Sequence, residues 1–305
     1  MQKNNEFLNK IEKIIPSDRL LIDEPLANHT TFRIGGPADY FVLPASVEEV
    51  TSVAKLAKDY DIPVTILGNG SNVLVLDNGI RGLVLKFSKE MSRIRHEGNH
   101  IFAGAGALLR DVSRYAADLG LSGMEFAIGI PGSIGGAVFM NAGAYEGEMS
   151  HIVQSVTAVC ADGSVIRFNK EEIEFSYRHS VFHENHCTIC EVELAFKNGE
   201  QTLIRNKMGD FTTKRETKQP IEMPSAGSTF KRPPGHFAGT LIEQTGLKGL
   251  SIGGAQVSPK HAGFIINAGG ATAKDVLDLI KEVQQRVYEK HGVMLHPEVR
   301  TLGEE

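Results

Sequence analysis

The chain alternates between segments with helical hydrophobic spacing and shorter segments in which apolar residues alternate. Capping boxes at Ser46–Glu49 and Thr272–Asp275 each precede a stripe of apolar residues spaced three and four apart. A third apolar face runs over Leu108–Leu119 and ends at Gly120, and the stripe after Thr272 ends at His291–Gly292. The pattern predicts a helix at each of these three places.

Short apolar runs typical of strands fill most of the chain before about residue 200. They include DYFVLP, PVTILG, NVLVLD, GLVLKF and CTICEVELAF. Near Asn198–Gly199 this pattern gives way to a lysine-rich helical segment, QTLIRNKMGDFTTKRETKQP. The mixture predicts an α+β protein whose main domain boundary lies close to that change.

The composition is that of an ordinary globular protein. The 305 residues are 41% hydrophobic and 23% charged, with a net charge of -5 and no dominant basic segment, so we expect no nucleic-acid partner. The longest apolar runs are far shorter than the ~20 residues of a bilayer-spanning helix. The N-terminal sequence MQKNNEFLNKIEKIIP has the spacing of a short amphipathic helix and lacks the pattern of a signal peptide. We therefore expect a cytoplasmic protein without membrane association.

The cysteines raise the question of a metal site. His183, His186, Cys187 and Cys190 have a spacing that resembles zinc ligands. The alternation in CTICEVELAF argues against such a site, because a period of two directs residues 187 and 190 to opposite faces. Three cysteines, an odd number, also argue against a disulfide framework. We therefore predict no metal site and expect Cys160, Cys187 and Cys190 to be unpaired thiols in a sheet.

Glycine-rich loops raise the question of a nucleotide. The segment GAGALL lacks the third glycine of a Rossmann fingerprint. In Gly68–Asn72, between two alternating runs, the pattern fits either a plain hairpin or a nest of backbone N–H groups that holds a pyrophosphate. The glycines around Pro131–Gly136 indicate a second close approach of the backbone, near the start of a helix. Two such loops in one β-rich region favour a bound dinucleotide.

These loops, together with SYRHS, SAGSTFKRPPGHFAGTLIEQTGLKG and HPEVR, resemble the UDP-N-acetylenolpyruvoylglucosamine reductase family, flavoenzymes of peptidoglycan precursor synthesis. The resemblance extends from Asn28 to Gly303 and is to the shorter form, without an added tyrosine-bearing loop. It implies a two-lobed FAD-binding unit of the PCMH/vanillyl-alcohol-oxidase type at residues 1–205, with lobes of about 1–88 and 89–205, followed by a smaller α+β substrate domain at residues 206–305.

The resemblance also implies a reaction and its residues. NADPH would reduce FAD, and the reduced flavin would reduce the enolpyruvyl group of a UDP-sugar. Ser228 matches the proton donor to carbon, Arg178 matches the arginine at the substrate carboxylate, and Glu298 matches the third catalytic residue. A carboxylate beside developing negative charge has to be paired with a cation or protonated, which we expect of Glu298.

Further contacts are expected at the cofactor and the substrate. The cofactor-binding residues implied are Gly68, Asn69, Gly70, Ser71, Asn72, Pro131, Gly132, Ser133, Ile134 and Gly135. Lys218, Arg232 and Tyr145 are candidates for substrate contact, the two cations at the UDP phosphates. We expect small-molecule partners only and a monomer or weak oligomer. Alternative functions are another FAD-dependent oxidoreductase of the same fold and a flavin-binding module without catalysis.

Overall fold

The computed structural model describes residues 5–304 and divides them into two compact units. Unit 1 takes the described residues of Met1–Ile22 together with Asp39–Asn69 and Gly82–Lys214. Unit 2 takes Asp23–Ala38, Gly70–Arg81 and the described residues of Arg215–Glu305. The predicted boundary between residues 205 and 206 stays a prediction. Within residues 5–304 no helix is both long and apolar enough to cross a bilayer.

The helices confirm the predictions made from hydrophobic spacing. Their bounds are α1 Asn5–Ile11, α2 Val47–Asp59, α3 Leu109–Asp118, α4 Ile134–Phe139, α5 Phe182–Asn185, α6 Gln201–Lys218, α7 Ala238–Gln244 and α8 Ala273–His291. Ser46 caps α2 by accepting a hydrogen bond from the Glu49 amide, and Thr272 caps α8 in the same way through the Asp275 amide. The observed mixture of helices and strands agrees with the predicted α+β class.

The strands are β1 Leu20–Pro25, β2 Pro37–Val42, β3 Val64–Leu67, β4 Val73–Val75, β5 Ile80–Lys86, β6 Ile94–Glu97, β7 His100–Gly104, β8 Leu121–Ser122, β9 Gly143–Ala144, β10 Gly147–Glu148, β11 Val153–Val159, β12 Val165–Asn169, β13 Thr188–Ala195, β14 Lys197–Asn198, β15 Ser251–Ile252, β16 Ala255–Val257, β17 Ile265–Asn267 and β18 Arg300–Leu302. A four-stranded sheet has the order β1-β2-β5-β3, and a five-stranded sheet has the order β12-β11-β13-β7-β6. The chain passes between the two units inside β1, β2 and β5.

Unit 1 is built around the five-stranded antiparallel sheet, in which β13 lies between β11 and β7. Its apolar residues and those of α2, α3 and α4 form one core, which includes fully buried Val53, Val112, Val138, Val156 and Val192. Burial of such side chains is the main favourable contribution to folding. Two turns flank this core, Pro131–Ser133 and Ser176–His179. They contain Ser133 and Arg178, which are candidate site residues.

The cysteine prediction is wrong, because Cys160 and Cys187 form a disulfide. Cys160 follows β11 and Cys187 precedes β13, and these strands pair in a register that sets Val159 opposite Thr188. Alternation along one strand indicates which face a residue occupies, but only the register between strands decides which residues are neighbours. Cys190 is a buried free thiol whose pKa is raised to about 12 by burial.

Unit 2 contains the antiparallel sheet β15-β16-β17 and the parallel pair β4 and β18. Helix α8 buries its apolar stripe, including Val276 and Val283, in a second core. Asp77, which follows β4 by two residues, accepts hydrogen bonds from the Ala273 amide at 2.8 Å and the Lys274 amide at 3.1 Å. These bonds satisfy two amides that the first turn of α8 leaves unpaired.

The hairpin alternative for Gly68–Asn72 is wrong. β3 and β4 flank this segment, but β3 pairs in parallel with β5, whereas β4 pairs in parallel with β18. Parallel partners require a crossover, so the glycine-rich segment is a connection between different sheets. The loop leaves β3 within unit 1, and the chain enters unit 2 after Asn69.

Candidate functional site

Two glycine-containing segments that the sequence separates by some sixty residues meet within unit 1. The Asn69 side-chain amide donates a hydrogen bond to the Pro131 carbonyl at 2.6 Å. A Cβ added to Gly68 would stand 2.4 Å from Ser133 Oγ, so a larger residue does not fit without displacing that hydroxyl. Only glycine permits this approach of backbone to side chain. The structure thus brings together Gly68, Asn69, Pro131 and Ser133.

Ser133 carries an unsatisfied polar atom at this meeting point. The residue is 2% exposed, and its Oγ has no hydrogen-bond partner among the described residues. Ser133 stands at the position before α4, yet its side chain does not accept a hydrogen bond from that helix. Buried hydroxyls are almost always satisfied, so an unpaired one indicates a place for a ligand or water.

Lys86 is a buried cation beside the same loop, and sequence reasoning missed it. It ends β5, is 9% exposed, and donates a hydrogen bond from Nζ to the Gly68 carbonyl at 2.5 Å. Burial lowers the pKa of its ammonium from 10.5 to about 8. The one sequence signal was a lysine inside the apolar run GLVLKF, which is an unusual residue for a buried strand.

The segment after Pro131 is held by backbone pairing. The Gly132 carbonyl accepts from the Leu109 amide at 3.0 Å, and the Ile134 and Gly135 amides donate to the carbonyls of Ala107 and Ala105 at 2.8 and 2.9 Å. These amides therefore hold the segment in place and are not available to a ligand. The other predicted loop residues, Gly70, Ser71 and Asn72, belong to unit 2.

Within unit 2 the loop residues are fixed by their carbonyls. The Thr31 amide donates to the Gly70 carbonyl at 3.1 Å, and the Arg300 amide donates to the Asn72 carbonyl at 3.0 Å. Gly70 has a φ of +65°, in the left-handed region, and a Cβ there would lie 2.3 Å from the His29 carbonyl oxygen. The half-buried Ser71 follows it.

Arg178 occupies a tight turn in unit 1, between the bridged residues Ser176 and His179. Its φ of +56° is uncommon for a residue with a side chain, and such strain collects at functional sites. The guanidinium donates to the Gly143 carbonyl at 3.4 Å and lies 5.1 Å from the centre of the Tyr177 ring. The turn presents a half-buried, permanently charged group in a defined orientation.

Asn141 is a second residue that sequence reasoning missed. It is 1% exposed, and its amide donates to Glu148 Oε1 at 3.2 Å and to the Ser176 carbonyl at 3.0 Å. Its Oδ1 accepts from the Ser150 amide at 3.0 Å. Asn141 therefore joins the β9-β10 hairpin to the turn that carries Arg178. The residue lies in MNAGAY, in which Tyr145 is the only predicted site residue, and an asparagine two residues before a glycine is an ordinary turn residue.

Glu148 has opposing influences on its ionisation. Burial favours the neutral form, but hydrogen bonds from Ser150 and Asn141, with smaller contributions from His151 and Arg178, hold its pKa below the usual range. Glu148 is therefore ionised at neutral pH and provides a counter-charge for Arg178.

Tyr145, predicted to contact substrate, is engaged with α6 in this structure. Its hydroxyl donates to the Phe211 carbonyl at 2.9 Å, and its ring stacks on the Phe211 ring at 4.1 Å and 5°. A substrate contact would require this pairing to open. Lys218, the last residue of α6, is exposed in unit 2.

Ser228 lies in unit 2 and is exposed, although its neighbours Ala226 and Thr229 are buried. The adjacent Thr229 donates from its amide to the Gly263 carbonyl at 2.9 Å and accepts from the Glu298 amide at 2.8 Å. Thr229 Oγ1 also accepts from the Ile265 amide at 3.0 Å. Gly227, just before Ser228, has a φ of +76°. The structure thereby brings the backbones of the predicted residues Ser228 and Glu298 together.

A cavity of about 380 Å³ in unit 2 adjoins Ser228. Its lining includes Arg232, whose guanidinium lies 4.1 Å from the centre of the Phe237 ring, and Lys260 and His261. Burial lowers the pKa of His261, so its ring is neutral at physiological pH. The cavity is therefore lined by two cations, Arg232 and Lys260, and by the carboxylate of Glu243. Lys260 also forms an ion pair with Glu222 at 3.5 Å, which leaves Arg232 as the cation better placed for an anionic ligand. No cluster of three or more potential metal ligands occurs among residues 5–304.

Comparison with known proteins first shows the class to which this protein belongs. The family profile described as "FAD binding domain" matches residues 38–169. A solved structure of alkyldihydroxyacetonephosphate synthase is 17% identical, covers 65% of this chain and 41% of that chain, and aligns with a TM-score of 0.50, a likeness of fold alone. The predicted fold class is confirmed. The fold and the FAD domain define a flavoprotein.

The family follows from closer relatives. The profile described as "UDP-N-acetylenolpyruvoylglucosamine reductase, C-terminal domain" matches residues 219–302. UDP-N-acetylenolpyruvoylglucosamine reductases of Clostridium perfringens (strain SM101) and Clostridium botulinum (strain Hall) are each 50% identical, over 99% and 100% of this chain and 99% of each relative. The crystal structure of the Thermus caldophilus reductase is 36% identical, covers 93% of this chain and 98% of that chain, and has a TM-score of 0.79. The chain belongs to the UDP-N-acetylenolpyruvoylglucosamine reductase family.

The residues in unit 1 fit an anionic cofactor such as FAD. An unsatisfied hydroxyl at Ser133, the missing Cβ at Gly68 and the buried ammonium of Lys86 provide a donor, space and positive charge in one place. These are the properties of a site for a phosphate group. The predicted FAD cofactor is confirmed by the domain match.

Proposed function

We propose that this chain uses NADPH to reduce the enolpyruvyl group of UDP-N-acetylglucosamine enolpyruvate, with Ser228 as the proton donor to carbon. One observation carries the assignment: Ser228 is exposed on a loop whose backbone is fixed at Gly263 and Glu298. A rigid loop that projects one hydroxyl next to a cavity suits proton transfer to a defined atom. The activity itself is the one in the names of the relatives.

FAD, held by unit 1, would supply hydride transfer from NADPH to the terminal carbon of the enolpyruvyl double bond. Negative charge then develops on the neighbouring carbon and its carboxylate. Ser228 Oγ donates its proton to that carbon, which forms the new C–H bond. A serine hydroxyl is a weak acid, but a carbanion-like centre is a strong base, so position matters more than acidity.

Arg178 would bind the substrate carboxylate, where charge increases as the reaction proceeds. A guanidinium donates two parallel hydrogen bonds to a carboxylate, and the turn already orients it. Glu298 would act beside Ser228, since the Glu298 amide and the Thr229 carbonyl are hydrogen-bonded. Arg232 and Lys218 are proposed as cations for the UDP phosphates, with Arg232 lining the cavity beside Ser228.

The test follows the flavin through each half of the reaction. The purified protein is mixed anaerobically with NADPH, and then with UDP-N-acetylglucosamine enolpyruvate, while the visible flavin spectrum is recorded. We expect NADPH to bleach the flavin absorbance and the sugar nucleotide to restore it. Bleaching without restoration by this sugar nucleotide, but with rapid restoration by oxygen, would instead favour an oxidase of the same fold.

A further inference from the structure

We propose that Lys86 is the buried cation of the flavin diphosphate site, where it fixes the Gly68 peptide so that the next amide is presented to the diphosphate. The inference rests on the proposed function, in which unit 1 holds FAD, and on the expectation that the Gly68 loop contacts the diphosphate of that cofactor. It adds a residue that lies outside both predicted glycine segments. All the groups involved, which are Lys86, Gly68, Asn69 and Ser133, belong to unit 1.

The first step is the geometry of one peptide group. Lys86 Nζ holds the Gly68 carbonyl at 2.5 Å. In a trans peptide the carbonyl and the following N–H point in opposite directions, so the Asn69 N–H faces away from Lys86. No hydrogen-bond acceptor for that N–H is found within residues 5–304. The lysine therefore sets the direction of an unpaired donor.

The second step is the unpaired hydroxyl. Ser133 Oγ is buried without a partner and faces Gly68, the residue whose carbonyl Lys86 holds. The Asn69 side chain ties this loop to Pro131, two residues before Ser133. One backbone donor and one hydroxyl donor are thus left unpaired around the same glycine. A phosphate oxygen accepts hydrogen bonds from both kinds of donor.

The third step is the charge. Within residues 5–304, Lys86 forms no ion pair with a carboxylate, and its single hydrogen bond is to a neutral carbonyl. A buried ammonium without a counter-charge is unfavourable in the free protein. A diphosphate on the far side of the Gly68 peptide would supply that counter-charge. The same lysine is therefore expected to weaken the apoprotein and to strengthen cofactor binding.

The experiment measures both effects on the deflavinated protein. Lys86→Met keeps the aliphatic stem and removes the charge. FAD and riboflavin, which lacks the phosphates, are titrated and followed by quenching of flavin fluorescence, and thermal unfolding of the apoprotein is recorded. We expect Lys86→Met to bind FAD about 10–100-fold more weakly, to bind riboflavin unchanged, and to have a higher apoprotein Tm.

One further variant serves as a control, and another tests the unpaired hydroxyl. Lys89→Met alters a lysine whose side chain is 89% exposed, and it should leave FAD affinity and Tm unchanged. Ser133→Ala should weaken FAD binding without lowering the apoprotein Tm, because the hydroxyl it removes is unsatisfied. Equal weakening of FAD and riboflavin by Lys86→Met, or unchanged FAD binding, would overturn the role of Lys86. A wild-type protein that binds neither flavin would instead overturn the flavin assignment itself.

Discussion

Arg178 and Ser228, the two groups that we propose act on the substrate, are held in different ways. In unit 1, Arg178 sits at a strained φ, and the turn is tied by the side chain of buried Asn141 and balanced by ionised Glu148. In unit 2, Ser228 is exposed, and the loop around it is held mainly by backbone hydrogen bonds of Thr229. Unit 1 orients a charge through side chains, whereas unit 2 presents a hydroxyl through its backbone.

The difference follows from the chemistry of the two groups. A guanidinium keeps its charge in any setting, so it needs only to be oriented, and orientation requires partners that are themselves fixed. A hydroxyl that gives up a proton requires position and little else, so backbone bonds suffice. Substitution of the residues that hold the Arg178 turn should therefore disturb stability together with activity, whereas substitution of Ser228 should affect activity alone.

The largest effect is expected from Ser228→Ala. Loss of the proton donor should slow reoxidation of the reduced flavin by the sugar nucleotide by about 10²–10⁴-fold, with flavin reduction by NADPH unchanged. The measurement is stopped-flow absorbance of each half-reaction, together with thermal unfolding. Ser225→Ala is the matched control, because Ser225 contacts Thr31 through its backbone amide and carbonyl. A Tm lowered by Ser228→Ala would contradict the contrast between the two units.

The second effect is a pH dependence that arises in unit 1. Lys86 has a pKa of about 8 in the folded apoprotein against 10.5 as a free side chain. Below pH 8 both states carry the proton, and the burial cost is complete. Between pH 8 and 10.5 the unfolded state binds more protons, so the free energy of unfolding should rise with pH, by about 3 kcal/mol in total.

Urea denaturation of the apoprotein across this pH range checks the expectation. Lys86→Met should remove the rise attributed to this group, so the stability difference between variant and wild type should shrink as the pH increases. Lys89→Met should follow the wild type throughout. A difference independent of pH would mean that the Lys86 ammonium is solvated in the folded protein.

The third effect concerns the geometry of the charged group at residue 178. Arg178→Lys keeps the positive charge but loses the paired donors, so kcat/KM for the sugar nucleotide should fall by about 10–100-fold. Steady-state kinetics gives the ratio, and flavin reduction by NADPH alone should be unaffected. Retention of full activity by the lysine variant would show that charge alone is sufficient at this turn.

The smallest effect is expected from Asn141→Ala. The substitution leaves the Ser150 amide and the Ser176 carbonyl without their partner, at a cost of about 2 kcal/mol in the free energy of unfolding. Activity should fall as well, because the turn of Arg178 loses its tie to β9-β10. Chemical denaturation and steady-state kinetics are measured on the same preparation. Lost activity at unchanged stability would assign Asn141 to ligand binding instead.

Local pattern was sufficient for much of the fold. The capping boxes at Ser46 and Thr272 and the apolar stripes behind them predicted α2 and α8, because helix spacing and caps are properties of neighbouring residues. The failure of the Rossmann pattern and the presence of two glycine loops indicated a dinucleotide site of another kind. The roles of Arg178, Ser228 and Glu298 came from resemblance of motifs, not from spacing, and they stay predictions.

Long-range pairing decided the rest. The sequence did not show that Cys160 would lie beside Cys187, that β3 and β4 would join different sheets, or that Asn141 would support Arg178. Each depends on residues brought together by strand register or by packing of distant segments. Lys86 is the clearest case. Its neighbours in the sequence predict a strand, and only the folded chain brings its ammonium to the carbonyl of Gly68. Burial at that position lowers the pKa of the ammonium, because the charged form loses its hydration.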